Sequence, residues 1–195
     1  MEGNFYAMLS RMKYIERWAL MRNSRPENVS EHTLEVSILS HALAVIGNKR
    51  LEKNLNGERA ALIALFHDST EIITGDMPTP IKYHNGNIQG AFKEIEKEAA
   101  NRLLHMLPGD FFEEYESLYF QKEEDTYLWK LVKAADKLSA LIKCIQEEKA
   151  GNTEFVNAKE SIIVSLEELD LEEAKIFMVD FLPSYYRNLD ELTQS

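Results

Sequence analysis

His67 and Asp68 stand side by side at the end of "AALIALF", the longest apolar run of the chain, and Glu71 and Asp76 follow within "HDSTEIITGDMPTP". Charged groups beside an apolar interior are costly unless they are paired or bound to a metal. Neighbours on a helix project about 100° apart, close to the right angle between adjacent positions of an octahedral ion. A His-Asp pair at a helix end can therefore offer two adjacent ligands to one cation. Glu71 lies four residues past His67 and three past Asp68, so one more helical turn would bring it alongside. Two distant residues could complete such a site. His32 falls in the opening turn of a helix within "NVSEHTLEV", and Asp136 lies in "LVKAADKLSALIKC", about 40° beyond Val132 at the margin of an apolar arc. Each has a plainer reading alone: a satisfied histidine at a helix start, and an exposed carboxylate beside Lys133 or Lys137. The order His, then His-Asp, then Asp on three helices favours a shared ion.

The elements that must carry these residues are helical. Asn28 or Ser30 can cap a helix running to about Val45, with Leu34, Ile38, Leu39, Leu43 and Ile46 on or near one face and Gly47 ending it. Asn56 precedes a second helix, "GERAALIALFHDS". From about Ile88 to Met106, Phe92, Ile95, Ala99, Leu103 and Met106 recur at spacings of three and four, and Pro108-Gly109 stops the pattern. A long helix spans about Asp125 to Ala150, with an apolar arc of Leu128, Leu131, Val132, Ala135, Leu138, Ile142 and Ile145 and a stop at Gly151-Asn152. Another starts near Thr153, and a last one holds "EEAKIFMVDFL" and breaks at Pro183. No window alternates with period two, and no hairpin turn joins two β-branched runs. "GDMPTPIKYHNGN" is the one long loop, and such loops are often functional. The expectation is a single all-α domain over residues 1–195.

Composition narrows the partners. The 195 residues carry a net charge of −11, which opposes sequence-independent binding of a nucleic acid polymer. A local basic cluster could still hold a small phosphorylated ligand. One cysteine, Cys144, rules out an intramolecular disulfide, fits a reducing compartment and reads as a packed side chain. The N-terminal stretch is charged throughout without a signal-like apolar core, and no apolar run approaches a membrane span. A cytoplasmic protein with no membrane association is expected.

"RWALMRNSRPENVSEHTLEVS", "ALFHDSTEIITGDMPTPIKY" and "LVKAADKLSALIKC" resemble the three signature regions of the bacterial HD-domain 5'-deoxynucleotidases, the YfbR-like group of the HD-domain phosphohydrolases. The likeness extends to "GNTEF" and "FMVDFLPSYYRNLDEL" and so covers nearly the whole chain. It implies an HD-domain helical bundle in which His32, His67, Asp68 and Asp136 hold one divalent metal. It further implies that Arg17, Trp18 and the stretch Asp76, Met77, Pro78 and Thr79 meet the substrate together with His32 and Asp136. Glu71 and Arg17 would assist the chemistry. Two imidazoles and two carboxylates suit Co²⁺ or Mn²⁺, with Fe²⁺, Zn²⁺, Cu²⁺ or Mg²⁺ as further occupants, better than Ca²⁺. Such an ion would polarise a phosphate and acidify water. Arg17 can grip phosphate oxygens by a planar two-point contact that lysine cannot copy. Trp18 would lie against the sugar and leave no room for a 2'-hydroxyl, and Asp76 could take the 3'-hydroxyl. The implied reaction converts a deoxyribonucleoside 5'-monophosphate to deoxynucleoside and phosphate, in a homodimer to which the aromatic-rich C-terminal segment could contribute.

Three alternatives stay open at the level of sequence. A two-metal HD phosphodiesterase would recruit His84 and His105, which otherwise read as a loop histidine and a cation at a helix C-terminus. His41, turned away from His32, reads as structural. A nucleoside triphosphohydrolase would need Arg22, Arg25 and Lys82, which otherwise read as solvated surface charge. A non-catalytic nucleotide-binding HD module would keep the fold without turnover.

Overall fold

The computed structural model describes residues 3–82 and 85–194, Thr79 and Pro80 by their backbone alone. Among the described residues there is no strand, only an isolated antiparallel bridge between Glu16 and Asn28. The helices are α1 (Phe5–Leu9), α2 (Val29–Arg50), α3 (Gly57–Phe66), α4 (Glu71–Thr74), α5 (Thr79–Lys82) and α6 (Gly86–Leu104). They continue with α7 (Phe112–Tyr119), α8 (Thr126–Lys149), α9 (Val156–Glu168), α10 (Glu172–Asp180) and α11 (Leu189–Thr193).

The long helix α8 is the axis of the molecule. All seven residues of its expected apolar arc are buried, and α2, α3, α9 and α10 pack around it. Each fully buried Leu or Ile on that arc contributes about 1.5–3 kcal/mol relative to exposure. A smaller cluster of Phe5, Leu103, Leu104 and Leu107 joins α1 to the end of α6 and is bordered by Phe112 and Tyr115 of α7.

Asn28 starts α2 with a capping box: its side chain accepts from the Glu31 amide at 3.0 Å and the Glu31 carboxylate accepts from the Asn28 amide at 3.4 Å. The expected apolar face of α2 needs correction. Leu39, Leu43 and Ile46 are buried, but Leu34 and Ile38 are 58% and 61% exposed, and Val36, Thr33, Ser40 and Ala44 take the inner positions. A helix that packs on both α3 and α8 has a wide buried arc, and here that arc admits small and polar residues, so apolarity alone does not mark it. Gly47 does not end α2 either. It is a buried crossing point, where a Cβ would lie 2.6 Å from the Leu55 side chain and 2.8 Å from a Glu173 carboxylate oxygen. Ile95, placed on the inner face of α6 by its spacing, is also half exposed. The long loop after Thr74 is interrupted by the four-residue α5.

Candidate active site

Three helices converge on one point. The first turn of α2 carries His32, which is buried at 1% exposure. The Asn56-capped α3 ends at Phe66, so His67 and Asp68 emerge where its backbone hydrogen bonding gives way to a turn. Asp136 projects from the middle of α8, its side chain 40% exposed, on the margin between interior and solvent.

One ligand atom from each of His32, His67, Asp68 and Asp136 lies within 4.8 Å of all the others. His32 Nε2 is 3.1 Å from Asp136 Oδ1 and 3.4 Å from Asp68 Oδ2, and His67 Nε2 is 3.1 Å from Asp68 Oδ2. His67 Nδ1 donates to the Ala64 carbonyl at 2.6 Å, which leaves Nε2 to face the cluster. His32 Nδ1 is likewise engaged, with Ser139 Oγ at 3.1 Å. Both Nε2 atoms are buried without a hydrogen-bond partner. Lone pairs of imidazole and carboxylate facing one another at such distances call for positive charge between them. Adjacent ligands of an octahedral ion with bonds of about 2.1 Å lie about 3.0 Å apart, close to the spacings here. The cluster therefore fits a divalent metal. Its electrostatics agree. Burial would raise the Asp68 carboxyl, yet His67 and His32 hold it well below the ordinary carboxylate range. Burial would lower the His67 imidazole, yet Asp68 and Asp136 raise it.

Beside the cluster a loop presents Arg17 and Trp18. It is tied to the root of α2, since the Arg17 amide donates to the Glu27 carbonyl and the Val29 amide to the Ile15 carbonyl, each at 2.9 Å. The Arg17 side chain is only 12% exposed, with Nη1 3.9 Å from Asp68 Oδ2 and Nε 3.6 Å from Glu27 Oε2. Neither nitrogen makes a hydrogen bond. Burial disfavours its charge, but Asp68, Asp136, Glu27 and Asp76 together more than restore it. A buried guanidinium with unused donors next to a cation cradle suits an anion that reaches both. Trp18 is held in a left-handed backbone conformation, φ 59°, which a bulky side chain adopts only under constraint. The constraint is visible: its Nε1 donates to Glu27 Oε2 at 2.9 Å, and its ring packs 5.2 Å from Phe155.

The family model of YfbR-like 5'-deoxynucleotidases matches residues 4–185. A 5'-deoxynucleotidase of Pectobacterium atrosepticum is 48% identical over 99% of this chain and 97% of its own length, and one of Yersinia pestis is 47% identical over 98% and 97%. The chain belongs to the YfbR-like 5'-deoxynucleotidase family. Among solved structures, an HD-domain phosphohydrolase of Listeria innocua superposes with a TM-score of 0.82, at 22% identity over 95% of this chain and 90% of that one. The cyanophage S-2L HD phosphohydrolase, solved with dA and one catalytic Zn²⁺ ion, gives 0.63 at 19% identity, covering 93% of this chain and 96% of the other. These two likenesses establish the HD-type helical fold.

The remaining candidates of this YfbR-like chain sort by position. Glu71 opens the separate helix α4, after a turn rather than on a continuation of α3. It is buried, its Oε2 has no partner, and burial together with Asp68 and Asp76 pushes its carboxyl up to about 10. Asp76 follows Gly75, whose φ of 72° makes the turn. Its carboxyl is raised by burial, opposed by Arg17 and by a hydrogen bond with the Trp18 backbone. Met77 and Pro78 are half-buried beyond it; Thr79 begins α5, and its side chain lies outside the described part. His105 caps α6 through Asn101 and packs on Phe112, away from the cluster, while His84 falls outside the described residues. Arg25 pairs with Glu31 and Lys82 with Glu96. Cys144 is buried, and burial pushes its thiol up to about 12, as befits a packing residue. Sequence reasoning missed Glu27, Glu35 and Ser139. The available signal was spacing: Glu35 and Ser139 each lie three residues beyond a cluster member, His32 and Asp136.

Proposed function

We propose that this chain is a metal-dependent 5'-deoxynucleotidase that cleaves deoxyribonucleoside 5'-monophosphates to deoxynucleoside and phosphate. The observation that carries this reading is the convergence of four metal-type donor atoms within 4.8 Å, with the buried Arg17 guanidinium 3.9 Å from one of them. His32, His67, Asp68 and Asp136 would hold one ion per chain, Co²⁺ or Mn²⁺ before Fe²⁺, Zn²⁺, Cu²⁺ or Mg²⁺. When bound, the ion polarises the phosphate and makes water nucleophilic near neutral pH.

The chain's own residues do the rest. Arg17 grips phosphate oxygens and balances their charge. Glu71, whose carboxyl is raised by burial, Asp68 and Asp76, takes one proton from the attacking water as its oxygen bonds to phosphorus and delivers one to the 5'-oxygen as the P–O5' bond breaks, the water's other proton staying on the phosphate. Trp18, braced by Glu27 and Phe155, lies along the sugar where a 2'-hydroxyl would collide. Asp76 accepts the 3'-hydroxyl, and Met77, Pro78 and Thr79 complete the wall of that subsite.

The 195 residues act as a single HD domain, and the buried free thiol of Cys144 fits the reducing cytoplasm. They pair as a homodimer. Leu34 and Ile38 of α2 and Leu62 and Leu65 of α3, all exposed and within about one helical turn in sequence of the residues of the Ser37–Ala61 hydrogen bond between the two helices, support this.

The test is phosphate release from dAMP, dCMP and TMP against AMP and CMP, after chelation and with Co²⁺ or Mn²⁺ restored. Metal-dependent release from the deoxynucleotides is expected, with ribonucleotides poorer and Trp18→Ala narrowing the difference. Tight nucleotide binding without turnover would overturn the reading in favour of a sensor.

A further inference from the structure

Ser139 sits on the most buried face of α8, fully inaccessible to solvent, with Leu138 and Ile142 beside it. A hydroxyl there must have partners, and it has two. Its Oγ donates to Glu35 Oε2 at 2.6 Å and lies 3.1 Å from His32 Nδ1. A serine hydroxyl owns one proton. Burial raises the Glu35 carboxyl and the Ser139 hydrogen bond opposes that rise; with Glu35 ionised and the hydroxyl proton on it, Oγ can only accept from His32, so an imidazole hydrogen resides on Nδ1. Nε2 then presents a lone pair toward Asp68 and Asp136, 3.4 and 3.1 Å away. The carboxylate at the far end polarises the hydroxyl and strengthens its hold on the ring. Glu35 is one turn beyond His32 on α2, and Ser139 is one turn beyond Asp136 on α8. The chain of contacts thus joins the two helices that supply two of the four donors.

We propose that Glu35 and Ser139 are positioning residues that lock His32 in its Nδ1–H tautomer and thereby set the affinity of the site for its cation. This inference rests on the metal-site reading above. Outer partners of metal-bound histidines carry about 10–100-fold in affinity in general.

The experiment has two independent readouts on the parent, Ser139→Ala and Glu35→Gln. The first is ¹⁵N NMR of the imidazoles in the metal-free proteins, with His32 assigned by its loss in His32→Asn. The second is calorimetric titration with Co²⁺. A His32 Nδ1 that stays protonated is expected in the parent, with a partly deprotonated Nδ1 and about 10–100-fold weaker Co²⁺ binding in Ser139→Ala, and a smaller loss in Glu35→Gln. Glu35→Gln preserves side-chain size and so decides the matter should Ser139→Ala fail to fold. Unchanged tautomer and Co²⁺ affinity in the folded variants would overturn the proposal. A parent that takes up no Co²⁺ sinks the metal reading instead, and the tautomer measurement still decides this one.

Discussion

Glu71 shows how one residue trades stability for chemistry. Its carboxyl is pushed up to about 10 from an ordinary value of 4.5 by burial first, then by Asp68 and Asp76. Between those values the folded protein holds a proton that the unfolded chain has released, so rising pH favours unfolding across that window. Glu71→Gln keeps the shape and removes the liability. In metal-free protein it should raise the melting temperature by about 10 °C at pH 8, with the gain vanishing as pH falls to 4.5, and it should lower kcat by about 10²–10⁴-fold. A gain of equal size at both pH values would exclude the titration as its source. Glu71, His67 and Asp68 were legible in sequence because such groups are costly after an apolar run. Ser139 and Glu35 were not, since a serine inside an apolar arc and a glutamate on a helix have many ordinary uses, and only the crossing of α2 over α8 joins them.

The segment before α2 depends on a latch from another part of the chain. Lys143 and Glu147, four residues apart on α8, form a buried ion pair. Glu147 also accepts from the Ser24 amide and the Asn152 side chain, each at 2.8 Å, while Lys143 donates to the Arg25 carbonyl at 2.6 Å. The loop bearing Arg17 and Trp18 is thereby tied to the fold's central helix. Burial alone would raise the Glu147 carboxyl, but Lys143, Asn152 and Ser24 bring it down to about 2. Its contribution is therefore present above pH 4.5 and lost as pH falls toward 2. Glu147→Gln strands the lysine and should cost about 3 kcal/mol at pH 7, less below pH 4.5, by urea unfolding at several pH values. KM should rise more than kcat falls, and a loss that ignores pH would assign the effect to packing. From sequence this pair looks like a solvated i, i+4 salt bridge, because nothing local says that residues 22–25 lie across it. The same blindness misassigned Leu34, Ile38 and Gly47: helix periodicity reports how many faces are apolar, and tertiary packing chooses among them.

At the scale of the molecule, helix content, the length and apolar arc of α8 and the meeting of three distant motifs were readable, because each rests on strong periodicity or on costly residue types. The face proposed for the dimer was not, since it depends on which apolar residues stay outside. Leu34→Glu with Ile38→Glu should convert a dimer to a monomer in sedimentation equilibrium while leaving Co²⁺ binding intact. A double variant that remains dimeric would move the interface elsewhere, the exposed Leu189 and Leu192 of α11 being the next place to probe. The distribution of the four donors along the chain has a consequence for biosynthesis. They are spread over more than a hundred residues, from His32 to Asp136. The proposed chelate would therefore stay incomplete on a nascent polypeptide until its central helix has left the ribosome and seated.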